Sequence, residues 1–127
     1  MTTVDISSYK KLYLETAKEY CNMLSSNYDK LSLSGFDKDA LNNMYISAHS
    51  LKSESHAMGY IKMETLSGMI EKAIKNILDN KIQITESLIT LIKEAIKNVQ
   101  SSLLNIEKET AEKDTDFISK KLGEYVV

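Results

Sequence analysis

Apolar residues recur every three or four positions along most of this chain, and the recurrence divides it into segments. That spacing is the signature of helices with one buried face. Tyr9, Leu12, Tyr13, Thr16, Ala17, Tyr20, Leu24, Tyr28 and Leu31 predict a first helix over about residues 4–31. Its tyrosines are expected at a bundle edge, rings packed and hydroxyls in water. Leu31 to Phe36 is rich in turn residues and reads as a linker. Asp37 is placed to cap a second helix, about 38–58, with Leu41, Met44, Ala48, Leu51, Ser55 and Met58 as its inward stripe. Gly59 then ends it, because glycine takes the left-handed conformation that stops a helix.

The pattern resumes over about 62–80, with Met63, Leu66, Ile70, Ala73, Ile74 and Ile77 on one face. Gly68 inside this helix weakens it by about 1 kcal/mol relative to alanine, which a close approach of another helix would justify. After a break at Asp79-Asn80-Lys81, Thr85 caps a fourth helix over about 86–109, with Leu88, Ile89, Ile92, Ala95, Ile96, Val99, Leu103 and Ile106 inward. The tail is more polar. Asp114 or Thr115 can cap a short fifth helix, about 115–122, that docks Phe117, Ile118 and Leu122, with Gly123 as its stop. Four long amphipathic helices with short connections predict an all-α fold, an antiparallel four-helix bundle with a short fifth helix.

Composition agrees. There are 127 residues, no proline and four glycines, enough chain for one core. A hydrophobic share of 43% with 27% charged residues argues for a globular protein rather than a disordered one. A net charge of −2 without a basic block argues against a nucleic-acid binder. No apolar run is long enough to span a bilayer and the start lacks a signal-peptide pattern, so a cytoplasmic protein without membrane insertion is expected. The single Cys21 lies in the helical pattern and reads as a core thiol, in keeping with a reducing compartment.

Candidate chemistry gathers on the second helix. His49 lies off the apolar stripe, roughly 130° from its centre at about 100° per residue, so its imidazole should face solvent. Lys52, Ser53 and His56 follow on the same side at the next turns. The stretch His49-Ser50-Leu51-Lys52-Ser53-Glu54-Ser55, with Gly59 beyond it, resembles the His-x-Leu-Lys-Gly-x-Ser-x-x-x-Gly motif of histidine phosphotransfer (HPt) domains. The likeness is to the form found in the amino-terminal phosphotransfer domain of CheA-type chemotaxis kinases. Ser53 departs from the pattern, which has glycine there.

The resemblance implies a four-helix bundle forming one HPt domain over 1–127, with His49 as the phosphorylated residue. It also implies that Glu71 orients His49 through one ring nitrogen. Some members carry a further histidine three residues before that glutamate, where this chain has Gly68. Lys52, at i+3, can set its ammonium beside phosphoryl oxygens. Ser53 is small, leaves room for a partner's active site and offers a hydroxyl. His56, about 10 Å along the axis from His49, is expected to face a partner rather than share a metal.

No glycine-rich phosphate loop occurs, so the chain is expected to be a phosphoryl carrier without its own ATP site or cofactor. The implied partners are a histidine kinase catalytic domain and a CheY-like response-regulator receiver domain. The resemblance fits the first domain of a larger CheA-type kinase or a stand-alone relay protein. A non-catalytic adaptor or kinase inhibitor that docks through the same face is the rival. A metal-carboxylate bundle needs Glu-x-x-His pairs on facing helices, which two histidines without such a pair do not supply.

Overall fold

The computed structural model describes residues 6–34, 36–108 and 112–126. Among them the chain forms α1 (Ile6–Ser34), α2 (Lys38–Ala57), α3 (Ile61–Leu78), α4 (Glu86–Glu107) and α5 (Asp116–Gly123). Val4 and Glu109, the expected outer ends of the first and fourth helices, lie outside the described residues, as does Gly35 of the linker. The first helix continues three residues past Leu31, so the linker is shorter than its turn-rich composition predicted.

Helix ends follow local chemistry. Asp37 accepts from the Ala40 N–H at 3.0 Å, and Thr85 accepts from the Leu88 N–H at 3.1 Å, each satisfying an amide that the helix leaves free. Gly59 closes α2 at φ 77°. The Tyr60 N–H there donates to the Ser55 carbonyl at 2.9 Å and the Gly59 N–H to the His56 carbonyl at 3.1 Å, which is the Schellman pairing. Asn80, at φ 58°, closes α3 with the same pair of bonds, from Lys81 to Asn76 and from Asn80 to Ile77. The start of α3 is capped from far away. Tyr60 supplies no capping side chain, and the Glu112 carboxylate instead accepts from the Lys62 and Met63 N–H groups, both at 3.0 Å. Lys62 in turn reaches Asp114 and Asp116, fastening the start of α5 to α3.

Side-chain pairs give the topology. Asn27 meets Asn43 and Tyr13 meets Ser55, so α1 and α2 run antiparallel. His49 meets Glu71 and His56 meets Glu64, so α2 and α3 do as well. Tyr28 reaches the Ile89 carbonyl while Lys18 pairs with Glu107, which sets α4 antiparallel to α1 and closes the bundle. The α5 helix lies along α3 and α4. The core runs through all five helices and includes Leu24, Leu31, Leu41, Met44, Leu51, Met63, Leu66, Ile70, Ile74, Leu88, Ile92 and Leu122. Cys21 belongs to it, 2% exposed.

Three expectations about the periphery change. Tyr9 and Leu12 are exposed, at 54% and 59%. They line an open groove with Ala57 and Met58 at the end of α2, and Leu14 takes the inward place instead. Tyr13 and Tyr28 do not keep their hydroxyls in water. Tyr13 shares a 2.9 Å hydrogen bond with the buried Ser55 hydroxyl, and Tyr28 donates to the Ile89 carbonyl at 3.2 Å. Phe117 does not dock. It is 76% exposed with the Lys121 ammonium over its ring, because α5 turns only Ile118, Ser119 and Leu122 inward.

The buried Tyr13 and Cys21 couple stability to alkaline pH. Burial pushes the Tyr13 hydroxyl from 10.0 up to about 12, the Ser55 bond opposing it and the charges of Tyr60, Glu112 and Glu54 adding to it. Burial pushes the Cys21 thiol from 9.0 up to about 11. Both groups hold a proton in the folded state that the unfolded chain releases earlier. Their contribution is complete below pH 9 and is lost as pH rises through 11 and 12. The urea midpoint should therefore be flat up to pH 9 and fall by the equivalent of on the order of 2–4 kcal/mol above it. Tyr13→Phe should flatten part of that fall. A midpoint unchanged at pH 11 would show both groups to be solvated.

Candidate functional site

The site lies on the outer face of the α2–α3 pair. The antiparallel register sets His49 opposite Glu71, Lys52 opposite Gly68 and His56 opposite Glu64, each pair of numbers having the same sum. On α2 the apolar stripe of Leu41, Met44, Ala48 and Leu51 is fully buried and fixes the helix's rotation. That rotation leaves the His49 side chain 56% exposed. On α3 the buried Leu66, Ile70, Ala73 and Ile74 do the same for Glu71, which sits at the edge of the core with its side chain 9% exposed.

His49 Nδ1 lies 2.5 Å from Glu71 Oε2. A carboxylate only accepts, so Nδ1 carries the proton and donates it. The lone pair is then on Nε2, which has no partner among the described residues. The Lys52 ammonium donates to the other oxygen, Oε1, at 2.6 Å. Burial pushes the Glu71 carboxyl up, but the bonds from Lys52 and His49 outweigh it and hold the group below the usual carboxylate value. Glu71 is thus an anion with both oxygens occupied, one by a fixed cation and one by the imidazole.

Three of the sequence-predicted residues, His49, Lys52 and Glu71, therefore meet in one cluster. Ser53 is exposed one turn beyond His49, and no hydrogen bond ties its side chain to that cluster. His56 stands apart. Its Nδ1 is 3.0 Å from Glu64 Oε2, in a separate pair whose imidazole side is 73% exposed. Gly68 has its close approach, made by the stem of Lys52: a Cβ at Gly68 would lie 3.2 Å from Lys52 Cδ. Among the described residues no three His, Cys, Asp or Glu side chains gather to hold a metal ion, and no helix is long and apolar enough to cross a membrane.

Two neighbours of His49 escaped the sequence reading. The Tyr45 ring lies nearly parallel to the imidazole, centroids 6.5 Å apart at 21°. Ile46, one turn before His49, is 55% exposed. A signal for Ile46 was present, since it is a large apolar residue on the polar side of an otherwise regular stripe.

Known proteins resemble this chain in sequence and in fold. The chain is 21% identical to the chemotaxis protein CheA of Bacillus subtilis over 120 residues, which is 94% of this chain and 18% of that protein. It is 22% identical to CheA of Borreliella burgdorferi over 130 aligned positions, which cover 100% of this chain and 15% of that protein. The chain thus spans less than a fifth of the length of these relatives. Among solved structures, the phosphorylated P1 domain of CheA3 in complex with CheY6 from R. sphaeroides superposes with a TM-score of 0.83 at 12% identity. The match covers 94% of this chain and 95% of that one, and it shows the same fold. The family model described as Hpt domain matches residues 8–102, which include all of α2 and α3 and every residue of the His49 cluster, and the chain belongs to that family.

Proposed function

We propose that this chain is a phosphotransfer module in which His49 Nε2 takes a phosphoryl group from ATP held by a separate histidine kinase catalytic domain. It then passes the group to an aspartate of a CheY-like receiver domain. The observation that carries this reading is the His49–Glu71 pair, which fixes the proton on Nδ1 and leaves the nucleophilic nitrogen outward.

The steps balance. The Nε2 lone pair attacks the γ-phosphorus, the bond from phosphorus to the ADP oxygen breaks, and an N–P bond forms. No proton has to leave Nε2, because the tautomer places it on Nδ1. The positive charge that develops on the ring is shared with the Glu71 anion through the Nδ1–H bond. In the second step a receiver carboxylate oxygen attacks phosphorus, the N–P bond breaks, and the imidazole returns neutral with its proton still on Nδ1. In both steps the chain contributes an oriented nucleophile and an open approach, while the nucleotide is held by the partner.

The surroundings suit two successive partners. Ser53 is small and exposed, and Ile46 offers apolar surface beside the imidazole. Lys52, held on Glu71 Oε1, keeps a positive charge beside the cluster that phosphoryl oxygens would approach. The relatives support the same reading, since they are chemotaxis CheA proteins and the solved neighbour was captured phosphorylated and bound to CheY6. On this reading the chain forms a single domain over 1–127 that works in the cytoplasm, where CheA-type kinases meet their receivers.

The test is a relay assay. Incubation with ATP and a CheA-type kinase core should add one phosphoryl group by intact mass, labile in acid and lost on adding a receiver domain. No gain from kinase cores, and none by back-transfer from a phosphorylated receiver, would leave a docking adaptor as the function.

A further inference from the structure

We infer that Gly68 is a positioning residue for His49: its missing side chain is the channel through which Lys52 reaches Glu71, and that ammonium turns the carboxylate toward the imidazole. The inference rests on the phosphotransfer reading for its kinetic consequence, while its structural half stands on the geometry alone.

A glycine inside a helix has two ordinary reasons, backbone conformation and space. Conformation does not apply, because Gly59 is the glycine with positive φ among the described residues and Gly68 keeps helical geometry. Space does apply. A Cβ at Gly68 would stand 3.2 Å from Lys52 Cδ and 3.8 Å from Lys52 Cγ. The first distance is shorter than carbon–carbon van der Waals contact. The atoms met are in the middle of the stem, held at one end by the buried α2 backbone and at the other by the 2.6 Å bond to Glu71 Oε1. A methyl group at residue 68 therefore makes the stem give by a few tenths of an ångström, which strains the bond its ammonium makes to Glu71.

That displacement matters because of how Glu71 is held. The terminal torsion of a glutamate is broad, with no strong preferred angle. One hydrogen bond leaves the carboxylate free to swing. Two bonds on different oxygens, Lys52 on Oε1 and His49 on Oε2, fix its plane. Losing the first loosens the second, and with it the Nδ1–H tautomer that leaves Nε2 ready to react.

A double-mutant cycle tests this. Gly68→Ala should keep the melting temperature at or above the wild-type value as the stem gives way, since alanine is favoured over glycine within a helix, yet slow phosphorylation by about 3–10-fold, less than the roughly 10–100-fold that losing a histidine's own orienting partner costs, because Glu71 is loosened and not removed. Lys52→Met keeps the stem and removes the ammonium, and should slow the reaction by a similar factor. Gly68→Ala placed on Lys52→Met should add nothing, because there is no longer an ammonium to displace. The ¹⁵N spectrum of His49 supplies a readout that needs no kinase: the Nδ1–H tautomer should dominate in the wild type and decline in both single variants. A Gly68→Ala protein with the wild-type rate and tautomer overturns the inference, as does a double variant whose loss is the product of the two. If the wild type accepts no phosphoryl group, the phosphotransfer reading fails, and the tautomer populations still decide whether Gly68 positions the histidine.

Discussion

His49→Gln is expected to abolish phosphoryl acceptance while leaving the bundle standing. Glutamine has nearly the reach of histidine, and its amide N–H can still donate to Glu71. It has no nitrogen with a nucleophilic lone pair, so the N–P bond cannot form and the loss should be complete within detection. The fold should hardly notice. The histidine side chain is 56% exposed and lies off the stripe that packs the core. Exposed substitutions change stability by about 0.5 kcal/mol, and a partly exposed ionic contact adds at most about 1 kcal/mol. Helix content by circular dichroism should match the wild type, with the melting point lower by a few degrees at most. Collapse of the helical signal would mean that His49 serves packing. Retained acid-labile phosphate would place the acceptor elsewhere, and His56 is the other histidine in the chain.

The parts of this molecule legible in the sequence were those set by neighbours along one helix. The stripes of α3 and α4 were read residue by residue, because helices packed on several sides carry a broad apolar face, and Ile89 alone sits at its margin. The caps at Asp37, Thr85 and Gly59 were legible because their hydrogen bonds span five residues or fewer. His49 and Lys52 were legible as a pair one turn apart. The misread places depend on contacts across the fold. Tyr13 reads locally as a wet edge residue, because nothing nearby in the chain shows that Ser55, 42 positions away, closes over its hydroxyl. Glu112 capping α3, and the Lys52 stem lying over Gly68, need the register between separate elements. Glu71 is the instructive case. As a helix position it reads as a surface charge, and only the family resemblance set it opposite His49. The structure finds it 2.5 Å away, because the α2–α3 loop is short enough to fix that register.

Glu71→Ala should slow phosphorylation by about 10–100-fold without abolishing it. The nucleophile survives the substitution, but its orientation and the anion that shares its developing charge do not. A hydrogen bond to a charged group is worth about 1.5–3 kcal/mol, which corresponds to that range of rates. Glu71→Gln should fall between wild type and alanine, since an amide oxygen can still accept from Nδ1–H but carries no charge. The loss should appear in the rate of the chemical step and not in affinity for the kinase, because Glu71 is buried behind the imidazole and offers a partner little surface. The bonds from Lys52 and His49 hold the folded carboxyl below its ordinary value against the opposing effect of burial. The stabilisation is therefore present above the unfolded value of 4.5 and is lost as pH falls through the folded one. The His49 side chain is 56% exposed and that of Lys52 36%, so its size should not exceed about 1 kcal/mol. Wild type and Glu71→Ala should thus converge in stability in acid while remaining far apart in rate at neutral pH. Equal rates at neutral pH would reduce Glu71 to a surface charge, and a large stability gap persisting in acid would make its role one of packing. Only the combination of a slow reaction and a small, acid-sensitive stability difference fits a carboxylate whose work is to hold one proton on Nδ1 and so keep Nε2 free.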